Sequence, residues 1–209
     1  MKVVLFGASG MIGSRVLDEL VRRGHAVTAV ARHPEKVQSF SGVNTVHGDV
    51  TDPASVAAAA KGADAAVSSY SPPRSEPALI LDATRALVSG LKQAGVRRLI
   101  AVGGAGSLEV APGIQLVDTP EFPSAWMAIA LAHRDTLPIL KQSDLDWTYF
   151  SPAAFIEPGV RTGKFRLGGT RLVANDRGES RISAEDYAVA LVDELEKPQN
   201  VRKQFTAAY

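Results

Sequence analysis

The sequence predicts an α/β fold, in which a doubly wound parallel sheet carries a small C-terminal cap. Two patterns support this prediction. Short β-branched runs alternate with longer amphipathic segments, which is typical of βαβ units. In the first unit, the glycine-rich stretch GASGMIG stands between an apolar run and a helical pattern. The 209 residues are expected to form one domain, residues 1–209, with about residues 152–209 contributing the cap.

Five strands are predicted in the first half of the chain, over residues 2–6, 25–30, 63–69 and 97–102 and within residues 43–50. Three helices separate them. The first, residues 12–23, carries an apolar stripe at helical spacing. The second is predicted to begin with Asp52 as N-cap and Pro53 at the first helical position. The third, residues 78–94, is predicted to end at Gly95.

The second half begins with a predicted loop of unusual length, residues 103–124, and such loops are usually functional or mobile. A helix over residues 125–142 contains Pro138, where a kink or break is expected. The next strand is predicted over residues 146–151, and a hairpin over residues 164–173.

The hairpin is predicted to turn at Gly168 and Gly169. A last helix is predicted to follow Ser183 as N-cap, with Asp186 completing a variant of the capping box. A short strand over residues 204–207 ends the predicted fold.

Composition excludes several classes of function. With 23 basic and 22 acidic residues the net charge is +1, which gives no reason to expect nucleic acid or an anionic membrane as partner. There is no cysteine, so thiolate catalysis and cysteine-ligated metals are excluded, and the histidines form no metal-binding spacing. We expect a cytoplasmic protein, a monomer or a homodimer, that acts on a small molecule.

The glycine-rich stretch has the residues that a dinucleotide site needs. Glycines allow a tight turn, close approach of a pyrophosphate and close packing of helix on strand, while the start of the helix attracts phosphate. The alternative is a glycine-rich turn that binds nothing. The residues of this stretch predicted to form the dinucleotide site are Gly7, Ser9, Gly10, Met11, Ile12 and Gly13.

The ordered set of motifs resembles the short-chain dehydrogenase/reductase superfamily. GASGMIG, VARHPEKV, GDV, the SS after the fourth strand, VGGAGS and FSPAAF together are most similar to its atypical NmrA-like branch, which includes small flavin and biliverdin-IX-beta reductases. This resemblance spans nearly the whole chain. It implies a Rossmann-like fold and an NAD(P) cofactor.

The choice of nucleotide depends on the end of the second strand. A carboxylate there would hold the ribose of NAD, but the first acid is Glu35. Arg32 offers a planar fork for a 2′-phosphate, with help from Arg15, so NADP is predicted over NAD. Alternatively, Arg32 is only a solvated loop residue.

The resemblance also implies further cofactor contacts. Asp49 and Val50 follow the third strand, where related proteins hold the adenine, although Asp49 could equally form a turn. The end of the fourth strand would line the cofactor cleft, and the end of the sixth would approach the nicotinamide. Alternatively, the residues at both positions only terminate their strands. The residues concerned are Ser68, Ser69, Tyr70, Pro152 and Ala153.

The Tyr-x-x-x-Lys pair of ordinary short-chain dehydrogenases is missing, since no tyrosine has a lysine four residues later. Ser107 and His133 remain as candidate proton or hydrogen-bond donors, and His133 could instead only pack on its helix. Trp126 and Met127 are predicted either as an apolar wall for a flat ligand or as core residues.

Three functions are therefore compatible with the sequence. The first is an NADP-dependent reductase that passes hydride to a flat acceptor such as a flavin or a quinone. The second is a nucleotide-binding redox sensor that does not turn over substrate. The third is a sugar-nucleotide epimerase or dehydratase, which the short C-terminal region disfavours because it leaves little room for such a substrate.

Overall fold

A central sheet of eight strands organises the computed structural model, which describes all residues 1–209. The strands are Lys2–Phe6 (β1), Ala26–Ala31 (β2), Val43–His47 (β3), Ala65–Ser68 (β4), Arg98–Val102 (β5), Glu109–Ala111 (β6), Ile114–Gln115 (β7), Asp146–Ser151 (β8), Phe155–Glu157 (β9), Arg166–Gly168 (β10), Arg181–Ser183 (β11) and Lys203–Ala208 (β12). The helices are Met11–Arg22 (α1), Pro53–Ala60 (α2), Leu79–Ala94 (α3), Ser124–Gln142 (α4) and Ala184–Glu196 (α5).

The order of the main sheet is β10-β12-β8-β5-β4-β1-β2-β3, and every neighbouring pair is parallel except β10 with β12. The strand order therefore reverses between β1 and β4. In open α/β sheets, ligands bind at such a reversal, beyond the carboxyl ends of the strands. The predicted Rossmann-like fold is confirmed.

Helices cover both faces of the sheet, so that two apolar cores flank it. α1 packs with α5 on one face, and α2, α3 and α4 pack against the other. Leu17 and Leu20 of α1 are fully buried in the first core, and Leu91 of α3 in the second. Burial of each such leucine contributes about 1.5–3 kcal/mol before entropic costs are subtracted. No helix carries an apolar stretch sufficient to span a bilayer.

A buried carboxylate of α1 ties a loop of the C-terminal region to this helix. Glu19 of α1 is only 3% exposed, and its oxygens accept hydrogen bonds from Arg23 at 2.7 Å and from Arg161 at 2.8 and 2.9 Å. These bonds, led by the one from Arg161, hold the pKa of Glu19 down at about 2. The loop that contains Arg161 is thereby fixed against α1.

Two helix caps lie where the sequence predicts them. The Asp52 side chain accepts hydrogen bonds from the amides of Ala54 and Ser55, at 3.0 and 3.3 Å. The Ser183 hydroxyl accepts from the Asp186 amide at 3.0 Å, so this N-cap is also confirmed. The Asp186 carboxylate, however, does not return the bond to Ser183 but accepts from the loop at residues 162–163.

The break expected at Pro138 does not occur. α4 continues through this residue, which lies on the exposed side, where water can reach the carbonyl that loses its helical partner. The predicted hairpin at residues 164–173 does not form. Its first arm pairs instead with β12, whose edge is otherwise open, and Arg171 makes a single bridge to Glu109.

The C-terminal region is divided between the core and the carboxyl end of the sheet. α5 packs on α1, and β12 pairs with β8 and β10 inside the main sheet. Residues 152–183 contain β9, β10 and β11, of which β9 and β11 form a separate two-stranded sheet. The predicted long loop also has structure, namely two 3-10 turns and the pair β6–β7.

Candidate functional site

A cavity of about 950 Å³ lies at the strand-order reversal and is lined from two separate stretches of chain. We call the wall formed by residues between 6 and 71 the glycine half, because it contains the glycine-rich turn. The wall formed by residues between 102 and 156 is called the loop half. The ends of β1, β2, β3 and β4 and the residues that follow them thus build one side, and the residues after β5 and β8 build the other.

The glycine-rich turn forms the floor of the glycine half. Gly7 has φ +80°, and a Cβ there would lie 2.8 Å from the backbone of Ser69 and Tyr70. A Cβ on Gly13 would lie 2.0 Å from the Gly7 carbonyl oxygen, so this glycine permits helix and strand to approach. Gly13 itself does not line the cavity. The predicted residues that do are Gly7, Ser9, Gly10, Met11 and Ile12.

The N-terminus of α1 is available to an anion. Gly10 occupies the N-cap position, no side chain caps the helix, and its first turn carries no acidic residue. The first amides of a helix have no partner within the helix and carry the positive end of its dipole. Together with the space that the glycines leave, this arrangement fits a phosphate or diphosphate group.

A cluster of basic side chains lies at the end of β2, beside the same turn. Arg32, His33 and Lys36 all line the glycine half. His33 contacts Glu35 at 3.2 Å, whereas Arg32 and Lys36 form no ion pair. The 3-10 turn Pro34–Lys36 brings Lys36 back towards the cavity, which the sequence alone did not reveal.

Arg15 does not join this cluster. Its Nε donates to Glu185 of α5 at 3.0 Å, and its side chain does not line the cavity. The expected help of Arg15 at a 2′-phosphate is therefore wrong. The cause is that α1 and α5 pack together and bring an acidic partner to Arg15 that the local sequence cannot indicate.

Of the other predicted contacts in this half, Val50, Ser69 and Tyr70 line the cavity, but Ser68 is buried in β4. The Asp49 carboxylate accepts from the amide and hydroxyl of Thr51 at 2.9 and 2.7 Å, and these bonds lower its pKa. Asp49 is thus used in a turn and does not line the cavity, which leaves Val50 and Gly48 on the wall there.

The loop half is predominantly apolar. Its large side chains come from the long loop, from α4 and from β9, and are Leu116, Phe122, Trp126, Ile129, Phe155 and Ile156. Of the two alternatives left open for Trp126 and Met127, Trp126 fits the first, because it lies on this wall, whereas Met127 does not line the cavity. The guanidinium of Arg74 stacks on the Trp126 ring, 3.6 Å from its centroid. Pro152 and Ala153 also line the cavity, after β8.

His133 lines the loop half as a neutral imidazole. His133 is 9% exposed, the Nδ1 atom of its ring has no hydrogen-bond partner, and burial lowers the pKa of the ring to about 4. At neutral pH the ring therefore carries no charge. The neutral ring can form a hydrogen bond to a ligand, but it cannot act as an imidazolium general acid.

Ser107 lies behind the wall. Its hydroxyl donates to the Gly104 carbonyl at 3.1 Å and accepts from Gln204 Nε2 at 2.9 Å, and it does not line the cavity. Gln204 belongs to β12, so the contact that holds Ser107 crosses 97 residues of chain. Ser107 and His133 are consequently not presented together to a ligand.

Tyr149 supports this wall from beneath and was not singled out by the sequence. Its hydroxyl donates to the His133 carbonyl at 2.7 Å and accepts from the Gly104 amide at 3.3 Å. A Cβ on Gly103 would lie 2.3 Å from the Tyr149 ring, so the glycine lets the chain pass over it. Burial raises the pKa of Tyr149 to about 12, and it remains a phenol.

Comparison with known proteins finds one family and several full-length structural relatives. The sequence model of a family described as NAD(P)H-binding matches residues 7–198. A structure from Burkholderia pseudomallei, provisionally named an exported protein, is 52% identical, with TM-score 0.91 and 100% of both chains covered.

Two further structures are similar over the whole chain. A provisionally named epimerase from Bacteroides thetaiotaomicron is 41% identical, with TM-score 0.93, covering 100% of this chain and 96% of that one. A provisionally named NADH-flavin reductase from Streptococcus pneumoniae TIGR4 is 32% identical, with TM-score 0.89, covering 100% and 99%. The three names differ, so the likeness extends to the fold and the family and not to one activity.

Proposed function

The chain belongs to the NAD(P)H-binding family, in its NmrA-like group of atypical short-chain dehydrogenase/reductases, and on that premise we propose that it is an NADP-dependent reductase. Its acceptor is a flat, electron-poor ring such as a flavin or a quinone. The observation that carries the proposal is the cavity itself, in which a glycine-rich turn that fits a phosphate and an apolar wall face one space.

The glycine half fits the cofactor. The uncapped start of α1 and the space beside Gly7 and Gly13 would hold the diphosphate. Arg32 and Lys36, free of ion pairs, favour a 2′-phosphate, because each can pair with it without breaking another contact. NADP is therefore the proposed cofactor.

The loop half fits a flat acceptor. Phe122, Trp126 and Phe155 can bury and orient an aromatic ring, and their apolar surface excludes water from it. When bound, NADPH supplies a hydride, that is two electrons and one proton, while the second proton of the reduced acceptor comes from water. His133 offers a neutral hydrogen-bonding group beside the acceptor.

Such acceptors need little help from an enzymic acid, because the anion formed by hydride transfer is delocalised. This agrees with a site that has no Tyr-x-x-x-Lys pair and whose histidine is uncharged. The same observation favours a second candidate, a redox sensor that binds NADP(H) without turning over substrate. For either function, the cytoplasmic location of the protein and its monomeric or homodimeric state stay predictions.

The test is acceptor-dependent oxidation of NADPH and NADH by the purified protein, with a panel of flavins and quinones, followed by loss of the reduced-nicotinamide absorbance. Rapid oxidation with a preference for NADPH is the expected result. Saturable NADPH binding without oxidation by any acceptor would refute the reductase and support the sensor.

A further inference from the structure

The ionisable side chains of the cavity are divided unequally between its two halves. The glycine half contains both unpaired cations, Arg32 and Lys36, together with His33 and Tyr70. The loop half contains only Glu121 and the uncharged His133. Every fixed positive charge on the walls therefore belongs to the cofactor side, and the acceptor side carries one carboxylate.

Three arginines lie near the loop half without lining it, namely Arg134, Arg74 and Arg181. Arg181 is 5.7 Å from the centroid of the Phe155 ring, and its charge is balanced by an ion pair with Glu157. Arg134 is 3.2 Å from Asp118 and 3.5 Å from Asp135, so its charge is balanced by two acids. Arg74 lies over the ring of Trp126 and is not part of the cavity wall. An anionic group bound in the loop half would thus meet Glu121 and no cation of the wall.

We propose that the acceptor is an uncharged flat ring system, a quinone or an isoalloxazine without a phosphate, and that Glu121 discriminates against anionic acceptors. This inference rests on the proposed function. The ring gains from burial against Trp126, Phe122 and Ile129 whatever its substituents. A phosphate near Glu121 is opposed by like charge, and no cation lines the loop half to replace the water that the phosphate would lose.

Riboflavin and FMN form the matched pair that tests this, since they share one isoalloxazine ring and differ by a phosphate. At an exposed carboxylate about 8 Å from a dianion, Coulomb's law in water gives roughly fivefold discrimination. We expect kcat/KM with NADPH to be about fivefold higher for riboflavin than for FMN at low salt. The ratio should shrink in high salt, where exposed charges are screened.

Variants assign the effect to the carboxylate. Glu121→Gln should bring the riboflavin-to-FMN ratio close to one, and Glu121→Lys should reverse it. Glu109→Gln is the control, because it removes the same charge from the same loop at a position that does not line the cavity. Its ratio should equal that of the wild type.

Equilibrium binding keeps this inference separate from the reductase proposal. Kd values for the two flavins, measured by flavin fluorescence with NADP⁺ present, should show the same preference even if no NADPH is oxidised. Equal or tighter binding of FMN by the wild type would overturn the inference. So would a Glu121→Gln variant that keeps the wild-type ratio, or an FMN preference that Arg74→Gln abolishes.

Discussion

Replacing Arg32 by glutamine should weaken NADPH binding about 10- to 100-fold and leave NADH binding within about twofold. Arg32 lines the glycine half, is exposed and has no carboxylate partner, so its guanidinium is free to meet a 2′-phosphate. A hydrogen bond to a charged group contributes about 1.5–3 kcal/mol, and each 1.4 kcal/mol changes an affinity tenfold. Lys36 still provides one cation, so the lower part of this range is expected.

The assay is the Kd of each nucleotide, from the change in nicotinamide fluorescence or from calorimetry. Arg15→Gln is a matched control, because it removes the same charge from a residue that pairs with Glu185 outside the cavity. Equal weakening of NADPH and NADH in the Arg32 variant would refute the reasoning. An Arg15 variant with the same selective loss would refute it as well.

Three further predictions concern stability and the turn. Between pH 6.5 and 4 only the unfolded state binds a proton at His133, so the free energy of unfolding of the wild type should fall by up to about 3 kcal/mol as the pH is lowered. His133→Gln should remove this part of the pH dependence. An unchanged pH profile in urea titrations would contradict the prediction. Glu19→Gln should lower the free energy of unfolding by about 3 kcal/mol at pH 7, because Arg161 and Arg23 lose their shared carboxylate partner. A loss below about 1 kcal/mol would show that these ion pairs contribute little to stability. Gly13→Ala should abolish NADPH binding, because the added Cβ would lie 2.0 Å from a backbone oxygen of the turn and displace it. Circular dichroism should show that the variant still folds, and a normal affinity for NADPH would refute the prediction.

Features set by local sequence were predictable, and those set by distant contacts were not. The strand–turn–helix unit at Gly7–Gly13 follows from backbone conformation, and the caps at Asp52 and Ser183 follow from side-chain chemistry within one turn. The failed hairpin at residues 164–173 depended instead on the open edge of β12, about forty residues later in the chain.

The same division holds for the cavity. Arg32 could be predicted because it directly follows a strand whose carboxyl end must face the ligand. Arg15 was misjudged and Tyr149 overlooked because their partners, on α5 and α4, are brought near only by packing. Ser107 is held by Gln204 of β12, so no local pattern could place it behind the wall.

Each wall of the cavity comes from one continuous stretch of the chain, so a single crossover between the two stretches would exchange one whole wall for that of a relative. No residue between 72 and 101 lines the cavity, and this interval contains α3. Within α3, Gly90 is in close contact with α2, where a Cβ would lie 2.6 Å from Val56, so a crossover before it would disturb that packing. Gly95, at the exposed end of α3 with nothing within 4 Å of its added Cβ, is the natural junction. On the proposed roles of the two halves, we expect chimeras of relatives joined there to follow one parent in nucleotide preference and the other in acceptor range, as the NADPH and acceptor assays above would measure.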